Sequence, residues 1–271
     1  MRAGLIQFTS SDDPSDNLAR LRPLIGEAAA GGAELVCTPE VTNCLAPRAR
    51  LLEIATSEEQ DPVLAGLREE AVQRNVWIAA GSLAIRTGDP DGRLANRSFL
   101  IGPDGGIAAR YDKIHMFDVD VSAAETWRES QSFRPGTRAV VAKTPLATLG
   151  LTICYDLRFP HLHRALAKAG AQVLLVPAAF TRPTGEAHWE TLLRARAIET
   201  GCFVLASAQT GEHAAGRLTH GHSLAVAPWG EVLADAGREP GVTLVDLDLA
   251  KVEEARRRIP ALQHDRPFEG P

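Results

Sequence analysis

Apolar runs of strand length alternate with segments of helical period along most of the chain, and this alternation limits the fold to the α/β class. The first unit shows the pattern. AGLIQF, from Ala3, reads as a short apolar strand. Asp13-Pro14-Ser15-Asp16 supplies cap and turn residues, and Leu18, Leu21, Ile25 and Ala28 follow at helical spacing. Gly31-Gly32 ends that helix, and AELVCT is a second buried strand that delivers Pro39-Glu40 at its C-terminal end. The spacing then predicts a helix over 61–75 and strands over 76–85, 94–101 and 107–111, with turns at Asp91-Gly92 and Pro103-Asp104-Gly105-Gly106. Residues 113–137 lack clean periodicity and read as a long polar loop, a feature usually tied to function. Beyond it come strand 146–153, helix 160–169, strand 172–177, helix 186–200 and strand 202–208. Strands 222–227, 231–235 and 242–247, a helix over 249–258 and an extended Pro-bearing end complete the chain. No internal repeat or linker is visible, so a single domain over 1–259 with mixed sheets and a tail over 260–271 are expected.

Apolar residues at 45% and charged ones at 23% are globular values that exclude intrinsic disorder. A net charge of −5 argues against a nucleic-acid or anionic-membrane surface. No apolar run approaches the ~18 residues of a membrane span. MRAGLIQFTSSDDP lacks the apolar core of a signal peptide, so a cytoplasmic protein is the expectation. The four cysteines form no CxxC pair, and Cys37 and Cys44 have no histidine at ligand spacing. Neither a disulfide framework nor a metal site is expected, and Cys37, Cys44 and Cys202 read as buried, inert thiols.

Cys154 is different. LGLTICYDLRFP places it just after an apolar strand and before a Pro160-led helix, an elbow that exposes a side chain to backbone N–H groups. Nearby cations and N–H dipoles at such a place favour the thiolate. A nucleophilic Cys needs a base. His161 and His163 follow the elbow, and His188, His213, His220 and His222 come late with no orienting partner in view, so a Cys–His hydrolase is weakly supported. Glu40 stands alone at a strand end, as site carboxylates in α/β folds do, although a cap or surface ion pair is the plainer reading. Lys113, in RYDKIHMFDVD, is a third edge residue.

Together these residues carry a resemblance. Pro39-Glu40, Tyr111-Asp112-Lys113 and Ile153-Cys154-Tyr155-Asp156-Leu157-Arg158-Phe159-Pro160 resemble the three catalytic signatures of the nitrilase superfamily, the carbon–nitrogen hydrolases. The 73 residues from Glu40 to Lys113 and the 41 from Lys113 to Cys154 are similar to that family's spacing. KIHMFDVDV, Glu129-Ser130, TGEAHWETLLRARAIETGCFVLASAQTG and HGHSLAVAPWGEVLA resemble the Nit amidase branch, whose members hydrolyse amides of 2-oxo acids or of deaminated glutathione. RARAIETGCFVLASAQ is more similar to the deaminated-glutathione amidases and FDVDV to the ω-amidases, and the first is the expectation. Glu186 departs from the pattern, which has a proline there, and puts local substrate contacts in doubt.

The resemblance implies a four-layer α-β-β-α sandwich with two mixed sheets. It also implies a homodimer or higher homo-oligomer pairing through helices 160–169 and 186–200, with the tail across the partner. It implies a Glu-Lys-Cys triad that needs no cofactor: Cys154 as nucleophile, Glu40 as general base and acid, and Lys113 holding the oxyanion. Glu129, 16 residues after Lys113, matches an additional active-site glutamate. A carboxylate base suits this work if burial or a like charge raises its pKa, and Glu129 would supply that charge. Tyr155, Arg158, Phe180 and Thr181 are the candidate contacts for a small amide substrate. Arg158 and Arg182 are candidates for its carboxylate or for structural ion pairs, whereas Arg194 and Arg196 read as helix surface or subunit contacts. An N-carbamoyl amino-acid amidase, a nitrilase and a catalytically idle homologue are the alternatives.

Overall fold

The first βαβ unit forms as its signals dictate. Strand β1 (Arg2–Gln7) leads to α1 (Pro14–Ala30), whose Asp13 cap accepts the amides of Ser15 and Asp16, and Leu21, Ile25 and Ala28 are buried on one face. The computed structural model describes residues 1–122 and 125–270. Ala123 and Ala124, within the expected loop 113–137, and Pro271, at the end of the expected tail, lie outside the described residues.

The elements continue as β2 (Leu35–Cys37), α2 (Arg48–Ile54), α3 (Pro62–Arg74), β3 (Trp77–Arg86), β4 (Leu94–Ile101), β5 (Ile107–Asp112), β6 (Asp118–Ser122) and β7 (Glu125–Arg128). The second half holds β8 (Val140–Lys143), β9 (Thr148–Leu151), α4 (Pro160–Lys168), β10 (Val173–Leu175), α5 (Arg182–Thr200), β11 (Phe203–Ala206), β12 (Thr210–Glu212) and β13 (Leu218–His220). It ends with β14 (Leu224–Val226), β15 (Val232–Asp235), β16 (Gly241–Asp246) and α6 (Ala250–Arg258). One six-stranded sheet has the order β16-β1-β2-β3-β4-β5 and the other β15-β14-β11-β10-β9-β8. Read from β16 and from β8, both show the same pairing sequence: antiparallel, parallel, parallel, antiparallel, antiparallel. The chain therefore repeats a topology that its residues do not repeat, because strand pairing depends on pattern and connection length.

The two sheets pack face to face, with Leu5, Leu35 and Leu100 from one and Leu149, Leu175 and Leu205 from the other in a single core. Leu21, Ile25, Leu64 and Leu67 of α1 and α3 cover the outer face of the first sheet. Leu166 and Leu193 of α4 and α5 cover the second. This is the expected four-layer α-β-β-α sandwich. Among the described residues no helix is long and apolar enough to cross a membrane.

Four local expectations need correction. Residues 113–137 contain the β6–β7 hairpin and a 3-10 turn at Glu129–Gln131, and the alternation Asp118-Val119-Asp120-Val121 was the signal for the first strand. Helix α5 starts at Arg182, four residues earlier than the periodicity suggests, because Pro183 is favourable in a first helical turn. Helix α2 and strands β8, β12 and β13 are too short to show a period. Arg196 is 5% exposed and donates to Leu157 O at 2.8 Å, so it braces the elbow from inside instead of lying on the helix surface.

Gly81 marks the seam between the sheets. A Cβ there would stand 2.0 Å from Thr38 O, 2.4 Å from Pro39 O and 2.5 Å from Pro177 Cβ. Two of these neighbours are backbone atoms that cannot turn aside. Gly81→Ala should lose about 3 kcal/mol in urea unfolding, the upper end for overpacking, and should lower activity by displacing Pro39-Glu40. Unchanged stability would mean that the seam has slack.

Candidate active site

Three strand ends converge between the sheets. Lys113 follows β5, its backbone fixed by Lys113 N to Asn96 O at 2.9 Å and Gly136 N to Lys113 O at 2.7 Å. Glu40 follows β2, and Gln209 Nε2 donates to its carbonyl at 2.9 Å. The next residue, Val41, has φ of 47°, which a β-branched residue rarely adopts, and its amide is held by Ser82 Oγ at 2.9 Å. Cys154 opens a 3-10 turn, Cys154–Arg158, that runs into α4; its φ is 49° and its amide donates to Pro177 O at 2.8 Å. Left-handed backbone at both positions is the kind of strain that an over-determined site sustains.

The side chains meet. Lys113 is 2% exposed, and its Nζ donates to Glu40 Oε1 at 2.8 Å and to Glu129 Oε1 and Oε2 at 2.9 and 2.8 Å. Asn96 Nδ2 donates to the same two carboxylates, at 2.9 Å to Glu40 and 3.2 Å to Glu129. The Ala179 amide donates to Glu40 Oε2 at 2.9 Å, and the Phe117 amide to Glu129 Oε2 at 2.6 Å. The Cys154 thiol lines the same cavity as these side chains, close enough to Glu40 that each shifts the other's protonation. Behind it, Asp156 accepts Tyr111 Oη at 2.6 Å, Ile153 N at 2.9 Å and His115 Nδ1 at 2.7 Å, which locks the Tyr111-Asp112-Lys113 segment to the elbow.

The charges differ from expectation. Burial alone would raise the Glu40 carboxyl, but the Lys113 charge holds it below the usual range. Burial and then the Glu40 charge push the Cys154 thiol well above 9.0, and Lys113 only partly opposes them. Burial would lower Lys113, yet Glu129 and Glu40 hold it well above 10.5. The cluster thus favours a neutral thiol beside a carboxylate, whereas the elbow taken alone favours the thiolate. Two acids share one cation, and the cation decides the balance.

These groups line a cavity of about 390 Å³. Tyr155, Phe180 and Thr181 line it, and among the described residues no histidine does, which leaves a Cys–His pair without geometric support. Arg158 does not line it: the guanidinium lies 5.9 Å from the Tyr155 ring and 5.4 Å from that of Phe180, bracing the aromatic wall from behind. Arg182 starts α5 away from the lining, and Glu186 pairs with Arg238 at 3.0 Å on the surface, so its departure from pattern does not touch the cavity. The sequence reading missed Asn96, a buried polar residue in an apolar strand, and Arg217, whose loop offers no motif.

A family profile described as carbon-nitrogen hydrolase matches residues 2–257. The chain belongs to the carbon–nitrogen hydrolase family. It is 41% identical over 263 residues to a deaminated glutathione amidase of Yersinia enterocolitica, covering 97% of this chain and 92% of that one. It is 38% identical over 265 residues to the human omega-amidase NIT2, covering 98% and 95%. Among solved structures, the C. elegans NitFhit protein superposes with a TM-score of 0.90 at 37% identity, over 98% of this chain and 65% of that one. The family thus agrees with both the fold and the sequence resemblance.

Removing the buried cation should expose the balance. Lys113→Met leaves Glu40 and Glu129 facing each other in low dielectric, at a cost of about 3–5 kcal/mol at pH 7. Glu40 in the wild type is depressed, so its contribution is present above the unfolded carboxyl pKa of ~4.3 and is lost as pH falls below it. In the variant, the carboxylate pair binds a proton at higher pH, which relieves the repulsion. The stability gap, read by urea unfolding at pH 7 and pH 5, should narrow on acidification. A constant gap would remove the ion cluster as its cause.

Proposed function

We propose that this carbon–nitrogen hydrolase is an amidase that cleaves deaminated glutathione to 2-oxoglutarate and Cys-Gly through a cysteine thioester. The observation behind this is the buried cluster in which a thiol, a carboxylate and an ammonium face one cavity, joined to relatives named for that activity. The Cys154 sulfur attacks the amide carbonyl carbon as Glu40 takes the thiol proton. Lys113 and the Tyr155 amide hold the oxyanion that forms, and loss of one such donor typically costs about 10²–10³ in rate. The C–N bond breaks as Glu40 returns the proton to the leaving amine. Water then attacks the thioester, Glu40 accepts its proton, and the acid departs while Cys154 is reprotonated. Glu129 keeps Lys113 charged and placed, and Tyr155, Phe180 and Thr181 form the walls around the acyl chain.

Omega-amidase action on 2-oxoglutaramate is the second reading. FDVDV overlaps β6 beside the cavity, and the human omega-amidase is 38% identical. The unit of function is a single domain over 1–259, in which β16 closes on β1. Its place is the cytoplasm, and its state a homodimer through α4 and α5. Ile198, Trp229 and Ile259, at 55%, 41% and 59% exposure, leave an apolar patch beside α5 for a second copy to cover. The tail lies against α4 through ion pairs of Asp265 with Arg164 and Lys168 and a bond from Arg164 to Ala261 O, beside the face this reading gives to the partner.

Release of 2-oxoglutarate from deaminated glutathione and from 2-oxoglutaramate, with Cys154→Ala as control, decides between the two readings by kcat/KM. A tenfold preference corresponds to about 1.4 kcal/mol of differential transition-state binding. Preference for 2-oxoglutaramate moves the protein to the omega-amidases. A nitrile or N-carbamoyl substrate turned over faster than either moves it elsewhere in the superfamily, and no turnover at all marks an idle homologue.

The pH profile follows from the charges. Glu40 must be ionised to act and is depressed, whereas Cys154 and Lys113 lose protons only at high pH. The kcat/KM should therefore stay flat from about pH 5 to about pH 9, with its acid limb below the ordinary carboxyl range of ~4.3. An acid limb near pH 6–7 would point to a base other than Glu40.

A further inference from the structure

Arg217 lies between a 3-10 turn at Ala214–Gly216 and β13, and its side chain lines the cavity that holds Cys154. Its guanidinium carbon stands 4.7 Å from the centre of the Trp127 ring. Nη2 donates to Ala179 O at 3.0 Å, and the amide of that same Ala179 holds Glu40 Oε2 at 2.9 Å. The guanidinium is thus one peptide unit from the carboxylate, and its charge adds to the forces that keep Glu40 ionised. Among the described residues no acid pairs with it, the Ala179 bond is its only hydrogen bond, and Nε is buried without a partner. The other two arginines of the lining are engaged elsewhere. Arg128 donates to Val119 O, Trp127 O and Asp120, and Arg48 is exposed and donates to Gln131 O.

A buried donor left empty in the free protein is costly, and a guanidinium fits the two oxygens of a carboxylate in one plane. The cavity already holds two acids and one ammonium, so an anionic substrate needs a further cation to enter. We propose that Arg217 binds a carboxylate on the acyl half of the substrate and thereby selects monoamides of dicarboxylic acids over neutral amides. The acyl half is the one concerned because Arg217 sits beside Glu40 and is partly buried, while the leaving amine must exit toward the open side. This rests on the amidase reading above and deepens it.

The test compares 2-oxoglutaramate with its methyl ester on the wild type, Arg217→Lys and Arg217→Met. The wild type should prefer the free acid, and in Arg217→Met the ratio of kcat/KM for acid over ester should fall about a hundredfold, chiefly through KM. Arg217→Lys keeps the charge and loses the fork, so it should fall between the two. Wild-type protein that cleaves acid and ester equally well overturns the proposal while leaving the amidase intact. An equal fall on both substrates in Arg217→Met also overturns it, since that pattern assigns Arg217 to supporting Glu40 or the fold. If the wild type cleaves neither substrate, the amidase reading itself fails, and this proposal with it.

Discussion

A buried ammonium is tolerable only where anions surround it, and the site is organised around that requirement. Isolated, the Lys113 charge would face a desolvation penalty of several kcal/mol. Two carboxylates meet it, and they come from unrelated parts of the chain: Glu40 from the end of β2 and Glu129 from the turn after the β6–β7 hairpin. Each acid in turn takes backbone and amide donors, from Ala179, Phe117 and Asn96. The Lys113 pairing therefore couples the first sheet, the hairpin and the second sheet at one point. Chemistry placed there inherits the rigidity of all three.

The same cluster sets the protonation state of Cys154. Because Lys113 spends its charge on two acids, little is left to favour a thiolate, and Cys154 remains a thiol next to an ionised Glu40. Proton transfer then accompanies attack instead of preceding it. A resting thiol is also a poorer target for adventitious alkylation and oxidation than a standing thiolate. In the mechanism proposed above, the pair comes into play when an electrophilic carbonyl is placed between Sγ and the Lys113 ammonium.

Much of this was legible in the residues. Glu40, Lys113 and Cys154 each follow a strand whose apolar run is clear, and their order and spacing carry the family. The long elements were equally plain, because α1 and α3 have Asp caps and α4 a leading proline. What escaped was short or non-local. Strands of three or four residues have no period to read, and β12 and β13 are of that kind. Asn96 bridges both acids, yet in the sequence it is a polar residue between Ala95 and Arg97 with nothing to mark its direction. Arg158 and Arg217 show the same limit, since the first lies outside the cavity lining and the second within it. Proximity to the nucleophile in sequence suggested the first, whereas the turn Cys154–Arg158 carries Arg158 behind the aromatic wall. Protonation states were the hardest to foresee, since they depend on how one cation is divided between two acids.

That division also explains why charge recognition falls to a residue outside the motifs. Lys113 is flanked by Glu40 and Glu129, so a substrate carboxylate brought to it would meet two acids. The acids themselves repel an anion. A cation that is anchored to the site through a neutral group escapes both constraints, and the Ala179 carbonyl is such an anchor for Arg217. Ala179 thus has both of its backbone polar groups assigned: its amide holds the Glu40 carboxylate, and its carbonyl holds the guanidinium that faces the cavity. The Glu40 carboxylate and the Arg217 guanidinium are both held by backbone atoms of the segment after β10, so a shift of that segment moves both together.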